Sequence, residues 1–271
     1  MAYEHPGAGA LDYFPCRYAA SRLVFRGPRA RLDRPYAVAL GGIETYGKFI
    51  ADPWPARLAR ATGRAVVNLG CVNAGLDSYL ADPDLTAIAA RADLRVVQVL
   101  GAQNLTNRYY AVHPRRNDRF LRATPQLQRL FPDVDFTEFT FTRHLLGALA
   151  RRGPERFPAV VRELRRCWAE RMEALFDRIG GPTILLWIGE TAPPPPTAAP
   201  RIDRDPPLVD AAMLAAAARR AESLVQVLTG PTDPGPAGKV FAPLEEAAAR
   251  VLPGPEVHAA IAAALAGRVG R

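Results

Sequence analysis

Short apolar runs rich in β-branched residues recur along the chain, and most of them end at or near a glycine. Such runs are typical of strands that are buried in a parallel sheet. The pattern predicts five strands, at residues 36–40, 65–69, 95–100, 183–188 and 223–228. Because parallel strands share one direction, we expect their carboxyl ends to line one edge of the sheet, where ligands bind in such folds.

Helical patterns separate these runs, and the clearest spans Pro154 to Ile179. Its apolar residues recur at spacings of three and four, while Glu163 and Arg166 fall on other faces. Shorter patterns predict helices at 53–62 and 255–266. The alternation predicts one α/β domain over residues 1–271, a three-layer α/β/α sandwich with a mostly parallel, flavodoxin-like sheet.

Two segments depart from this alternation. Residues 102–150 are longer than a simple crossover needs, and we expect a helical insert or lid beside the carboxyl edge of the sheet. Residues 189–207 contain the run Pro193-Pro194-Pro195-Pro196, which excludes a helix or a central strand. They predict a Pro-rich surface loop in polyproline conformation, with a docking motif for a partner as the alternative.

Composition narrows the function classes. The 271 residues carry a net charge of +8, but the basic residues are nearly all arginines spread along the whole chain, which argues against nucleic-acid binding. Apolar runs are too short for a membrane span, and the first residues lack a secretory pattern. The three cysteines show no metal-binding spacing. We therefore expect a cytoplasmic protein without a metal or other cofactor.

Glycine-containing motifs follow three of the predicted strands. The first leads into Gly41-Gly42-Ile43-Glu44-Thr45-Tyr46-Gly47, the second into Gly70-Cys71-Val72-Asn73, and the third into Gly101-Ala102-Gln103-Asn104. This order resembles the SGNH or GDSL hydrolases, whose first strand ends in a Gly-Asp-Ser turn often followed by Thr-Tyr-Gly. The resemblance covers roughly residues 36–104 and the last helix. The whole chain is also similar to a bacterial family known only as a domain of unknown function.

The resemblance implies catalytic roles that these residues do not all support. Ile43 stands at the place of the nucleophilic serine and Gly42 at that of the aspartate beside it. Asn73 takes the place of an oxyanion-hole glycine, and Gln103-Asn104 replaces an Asn-Asp pair whose amide role either residue can still fill. Since isoleucine has no nucleophilic atom, the resemblance implies an eroded catalytic triad.

The place of the catalytic histidine is open between two alignments. In one, His258 is the catalytic base and Pro255 replaces the aspartate of the triad. In the other, His258 is a helical histidine of the family and Leu252 occupies the catalytic place. A third reading needs no family role, since a histidine at a helix start commonly packs against a neighbouring strand.

Substitute catalytic groups are a further possibility. Thr45 and Ser78 offer hydroxyls, and Glu44, His144 or His258 offers a base. The spacing does not bring any of these together, and Thr45 can equally be a turn or helix-cap hydroxyl.

A basic stretch follows the third predicted strand. Arg115 and Arg116 lie close to Tyr109, Tyr110 and His113, and arginine forks suit phosphate, sulfate or carboxylate groups. The stretch either borders the ligand pocket or forms a solvated basic loop.

These patterns lead to one leading hypothesis and two alternatives. We expect an SGNH-like protein with an eroded triad that binds a small polar or anionic ligand, such as a glycan or its ester. The alternatives are an active acyl-ester hydrolase or acyltransferase with substitute residues, and a protein-interaction module that uses the arginine-rich loop and the Pro-rich segment. The candidate catalytic residues are Thr45, Asn104 and His258, and the candidate ligand-binding residues are Gly41, Gly42, Ile43, Glu44, Asn73, Gln103, Arg115 and Arg116.

Overall fold

The structure, a computed structural model, describes residues 9–230 and 235–269. Within these ranges the strands are β1 (Tyr36–Gly41), β2 (Ala65–Gly70), β3 (Leu94–Gln98), β4 (Tyr110–His113), β5 (Arg116–Ala123), β6 (Thr183–Gly189) and β7 (Ser223–Leu228). The α-helices are α1 (Ile43–Tyr46), α2 (Trp54–Thr62), α3 (Leu76–Leu80), α4 (Pro83–Ala90), α5 (Pro125–Leu130), α6 (Thr142–Arg152), α7 (Phe157–Ile179), α8 (Ala211–Ala218), α9 (Glu246–Val251) and α10 (Pro255–Val269). Short 3₁₀ turns occupy Phe136–Glu138 and Pro243–Glu245.

Five strands form one parallel sheet in the order β2-β1-β3-β6-β7. This is the flavodoxin-like order, in which the chain changes its direction of winding between β1 and β3. The prediction of a flavodoxin-like parallel sheet is confirmed, although β3 ends at Gln98 rather than at residue 100. Ligands in such sheets bind at the carboxyl ends of the strands that flank the change of direction.

The sheet separates two apolar layers because successive side chains of a strand point to opposite faces. Ala39 of β1 packs in the layer that contains Trp54 of α2 and Ile261 of α10. Val38 belongs to the larger core on the other face, which includes Trp168 of α7. The predicted three-layer sandwich is therefore confirmed. None of the helices within the described ranges has the length and apolar character needed to cross a lipid bilayer.

The segment from 102 to 150 contains strands as well as the expected helices. Strands β4 and β5 pair antiparallel as a hairpin ahead of α5 and α6. Its buried residues include Val112 and Phe120, whereas Arg115 lies in its turn and Arg116 is the first residue of β5. The hairpin escaped the sequence analysis because this turn lacks the Asn-Gly or Asp-Gly pair that favours tight hairpins.

Asn117 fixes the hairpin to the main domain. Its side chain is fully buried, and its Oδ1 accepts hydrogen bonds from the backbone N–H groups of Gly75 at 2.8 Å and Ser78 at 3.0 Å. Its Nδ2 donates to the carbonyl oxygen of His113 at 3.0 Å. The turn of the hairpin is therefore held beside the carboxyl edge of the sheet.

The Pro-rich segment returns to the same edge. Residues 190–207 contain no helix or strand, and Pro206 and Pro207 at their end are buried. The backbone N–H of Ala102 donates to the carbonyl oxygen of Pro207 at 3.0 Å. This bond brings a distant part of the chain against the end of β3.

Candidate functional site

A cleft of about 370 Å³ opens at the carboxyl ends of β1 and β3, and we call it the polar cleft. Six residues singled out in the sequence line it together: Gly42, Ile43, Glu44, Asn73, Gln103 and Asn104. The hairpin, α6 and the Pro-rich segment complete its walls with Asp118, Thr142, Arg143 and Asp205. The three strand-end motifs therefore meet in one place, as the parallel sheet predicts.

Gln98, the last residue of β3, organises the floor of the polar cleft. Its Oε1 accepts hydrogen bonds from the Gly42 backbone N–H at 3.0 Å and from the Thr45 hydroxyl at 2.6 Å. Its Nε2 donates to the Glu44 carboxylate at 2.7 Å. One buried amide thus joins the end of β3 to the turn that follows β1, and it aims Glu44.

The two glycines after β1 have different roles. A Cβ on Gly41 would lie 2.2 Å from the Thr45 hydroxyl oxygen, so this glycine allows α1 to fold tightly against the strand. Gly41 itself does not line the polar cleft. A Cβ on Gly42 would lie 3.1 Å from Leu100 Cδ2 and 3.2 Å from Glu44 Oε2. The Glu44 carboxyl group therefore lies close to the space that a side chain at position 42 would enter.

Acidic groups dominate the charge of the polar cleft. Burial raises the pKa of Glu44, the nearby carboxylate of Asp205 raises it further, and the hydrogen bond from Gln98 opposes both. Burial also raises the pKa of Asp118. Among the lining residues that the structure describes, Arg143 is the one basic side chain, and it pairs with Asp205 at 2.6 Å.

Two oxygen atoms that lack a partner belong to side chains of the polar cleft. Gln103 Oε1 and Asp118 Oδ1 are both buried, and neither has a hydrogen-bond donor within the described part of the chain. Gln103 is only 8% exposed. A buried acceptor without a donor costs about 1–3 kcal/mol of stability. Such atoms are rare in folded proteins, and a bound ligand or water is a common reason for them.

The candidate hydroxyls do not reach the polar cleft. Thr45 is completely buried beneath it and donates to the amide oxygen of Gln98. Ser78 is buried and donates to Asn117 Oδ1 at 2.6 Å. The expectation that Thr45 presents a nucleophile is therefore not met, because its hydroxyl bonds to a side-chain amide, which is not a general base.

His258 also lies outside the polar cleft, in the first turns of α10. It is 1% exposed, and its Nδ1 accepts a hydrogen bond from the Trp54 backbone N–H at 3.1 Å. Burial, with a smaller effect of Arg57, lowers its pKa to about 3. This placement contradicts the expectation that His258 is the catalytic base, because its ring is committed to the start of α2.

Leu252, unlike His258, lines the polar cleft. Leu252 and Ile43 line the same cleft. Lys239 fixes the backbone around Leu252, because its Nζ donates to the carbonyl oxygens of Ala249 at 2.6 Å and of Leu252. The described lining of the polar cleft therefore includes Leu252 and not the imidazole of His258.

The remaining groups give no proton relay. Within residues 9–230 and 235–269, no serine, cysteine or histidine lines the polar cleft. Thr142 carries the one lining hydroxyl there, and it donates to Asn104 Oδ1 at 2.7 Å. His144 is exposed on α6 and packs against Phe139 instead. The same described ranges hold no cluster of side chains suited to a metal ion.

Arg115 and Arg116 line a neighbouring cleft of about 540 Å³, which we call the basic cleft. Arg17, Arg22 and His113 line it as well. Asn73, whose φ of 65° places it in the left-handed region, lines both clefts. The arginines therefore lie beside the polar cleft rather than in it.

Several residues that line the polar cleft were not predicted from the sequence. Gln98 did carry a signal, because it is a polar residue among the apolar residues 96–100 of a predicted buried strand. Arg143 and Asp205 carried none, since they come from an insert and a loop whose paths the sequence does not define. Asp118 was hidden within the basic stretch.

Comparison with known proteins identifies a family for the chain, but the description of that family gives no activity. The chain belongs to the family described as domain of unknown function DUF6473, which matches residues 1–271. No curated protein matches the sequence.

Three solved structures are similar to the chain. A lipase from a goat rumen metagenome is 14% identical, over 88% of this chain and 97% of that one, with a TM-score of 0.39. A lipolytic protein of the G-D-S-L family from Desulfitobacterium hafniense DCB-2 is 11% identical, over 86% and 99% of the two chains, with a TM-score of 0.39. The salicylyl-acyltransferase SsfX3 of a tetracycline biosynthetic pathway is 12% identical, over 92% of this chain and 57% of that one, with a TM-score of 0.37.

The buried His258 predicts a specific pH dependence of stability. Its pKa is about 3 in the folded protein and 6.5 in the unfolded chain, so protonation favours unfolding. The stabilisation is complete above pH 6.5 and is lost as the pH falls toward 3. His258→Asn keeps an acceptor for the Trp54 N–H but does not titrate. We expect urea unfolding to show that the stability advantage of the unaltered protein over this variant shrinks by about 2 kcal/mol between pH 7 and pH 5. An advantage that is equal at both pH values would contradict the account.

Proposed function

We propose that the protein binds a small, hydroxyl-rich polar ligand, such as a glycan, in the polar cleft and does not use a serine-type nucleophile. One observation carries the proposal. Among the described residues, the cleft retains the buried, unpaired acceptors Gln103 Oε1 and Asp118 Oδ1, and the aliphatic side chains of Ile43 and Leu252 line it where the resemblance implies a serine and, in one alignment, a histidine. An arrangement of this kind supports ligand binding more readily than acyl transfer.

The acceptors favour a ligand that brings hydrogen-bond donors. Sugar hydroxyls both donate and accept, and each can satisfy an amide or carboxylate oxygen. Phe141, which is 43% exposed at the wall of the cleft, offers an apolar ring surface beside these acceptors. Arg143, the one basic side chain among the described lining residues, is already paired with Asp205, so the cleft offers an anion little positive charge. A neutral polyol therefore suits the polar cleft better than a sulfate or phosphate ester.

The hydrolase alternative requires a hydroxyl and a base within about 2.6–3.2 Å of each other. Thr45 and His258 do not supply such a pair. The Thr45 hydroxyl donates to Gln98, and His258 accepts from the Trp54 backbone N–H outside the cleft. The interaction alternative is weakened by the Pro-rich segment, whose residues Asp205, Pro206 and Pro207 form part of the cleft wall. These contacts favour a role in the cleft over a role as a free docking motif.

The Gln103→Leu variant tests ligand binding independently of folding stability. The substitution removes a buried amide oxygen that has no donor among the described residues, so we expect a thermal unfolding temperature equal to or above that of the unaltered protein. We expect saccharide affinity to fall about tenfold or more, since a ligand hydrogen bond is lost. The probes are glucose, galactose, N-acetylglucosamine and their disaccharides, measured by isothermal titration calorimetry.

The matched control is Gln128→Leu, which changes an exposed glutamine on α5 outside both clefts. It should leave binding unaltered. The proposal fails if no saccharide binds, or if Gln103→Leu binds saccharides as tightly as the unaltered protein.

Ile43→Ser tests whether a nucleophile alone restores chemistry. We expect no rise in p-nitrophenyl acetate hydrolysis above the unaltered protein, because Leu252 supplies no base to a hydroxyl at position 43. Thermal unfolding of the variant verifies that it is folded. Rapid ester turnover by the folded variant would show that a proton acceptor reaches this position and would contradict the proposed absence of a relay.

A further inference from the structure

We infer that the basic cleft is a second ligand site, which binds the phosphate or sulfate group of a small anionic ligand. Four arginines line it from two distant parts of the chain. Arg17 and Arg22 come from the segment before β1, Arg115 comes from the hairpin turn, and Arg116 is the first residue of β5. His113 adds an imidazole. The polar cleft and the basic cleft share only Asn73 among these lining residues, so the inference stands independently of the proposed function.

The arginine charges of the basic cleft are poorly balanced by the protein. The guanidinium groups of Arg17, Arg22 and Arg115 make no ion pair or hydrogen bond within the residues that the structure describes. Arg116 has one carboxylate partner, Asp118, at 3.6 Å. No carboxylate of the described chain lines the basic cleft. The guanidinium groups of Arg17, Arg22 and Arg115 therefore keep their hydrogen-bond donors available for an anion.

The backbone that carries the hairpin arginines is fixed before any ligand binds. The backbone N–H groups of Arg115 and Arg116 both donate to His113 Nδ1 at 3.2 Å. Because Nδ1 accepts these two bonds, the ring N–H that remains to donate is that of Nε2. Asn117 anchors the same turn through its bond to the His113 carbonyl oxygen.

The segment that carries Arg17 and Arg22 is fixed as well. Cys16 and Phe25 exchange two backbone hydrogen bonds of 2.9 Å, which close the loop between them. The Ser21 hydroxyl donates to Asp82 Oδ2 at 2.7 Å and ties the loop to the start of α4. Because the backbone is already fixed, less conformational entropy is lost when the arginine side chains bind an anion.

The shape of the basic cleft favours a small anion over a long polyanion. Arginine forks donate paired hydrogen bonds to the oxygens of phosphate and sulfate groups. The floor holds the uncharged residues Tyr46, Cys71 and Val72, which leave room for the rest of a small molecule. A nucleic-acid surface would instead be expected to extend its charge along a face or a groove.

The experiment measures binding of inorganic phosphate and inorganic sulfate by isothermal titration calorimetry at low ionic strength. Arg17→Ala/Arg115→Ala removes one arginine from each side of the basic cleft and leaves the Arg116–Asp118 pair in place. We expect affinity for both anions to fall about tenfold or more, because charge-assisted hydrogen bonds are lost. Arg17→Gln/Arg115→Gln provides a second variant should the first fail to fold, with the same expected loss.

The matched control is Arg162→Ala/Arg219→Ala, which removes the same charge from exposed positions on α7 and at the end of α8. Neither position lines the basic cleft, so no hydrogen bond to the anion is lost, and the effect on anion binding should stay within about twofold. The inference is overturned if the unaltered protein binds neither anion, whether or not it binds heparin. An equal loss in the control variant would also overturn it, because the effect would then reflect net charge alone.

Discussion

The side chain of Gln98 is the interaction on which the carboxyl edge of the sheet depends, because its single amide joins β3 to the turn after β1. Its oxygen receives the Gly42 N–H and the Thr45 hydroxyl, and its nitrogen holds the Glu44 carboxylate. This arrangement withdraws Thr45 into the core and presents a carboxyl group to the polar cleft. The chemistry available at the edge therefore follows from one buried polar residue in a parallel strand.

Within the described part of the chain, the lining of the polar cleft holds no hydroxyl beside a base, which is the pair that acyl chemistry needs. Ile43 and Leu252 line the cleft with aliphatic side chains, and the polar side chains around them are mostly amides and carboxyls. Of these, Gln103 and Asp118 each retain an oxygen without a hydrogen-bond donor among the described residues. Functional sites commonly carry such a cost in stability, because the groups that bind a ligand are not fully paired without it.

The sequence was sufficient for the fold and for part of the site. Apolar runs ending at glycines defined the five parallel strands, and the glycine-marked ends brought Ile43 and Gln103 to one edge. It was insufficient where side-chain direction decides the role, since Thr45 turns toward Gln98 rather than toward the cleft. It was also insufficient for Asp205, whose approach depends on how a long Pro-rich loop returns. Local patterns do not encode either feature.

Labelling of the unaltered protein with a fluorophosphonate tests the central claim most directly, because this reagent phosphonylates hydroxyls that a neighbouring base activates. Intact mass spectrometry then reports any covalent adduct, and peptide mapping locates it. Since Thr45 and Thr142 bond to amides rather than to a base, we expect the protein mass to remain unchanged after prolonged exposure. A stoichiometric adduct on Thr45, Ser78 or Thr142 would contradict the account and establish an activated nucleophile.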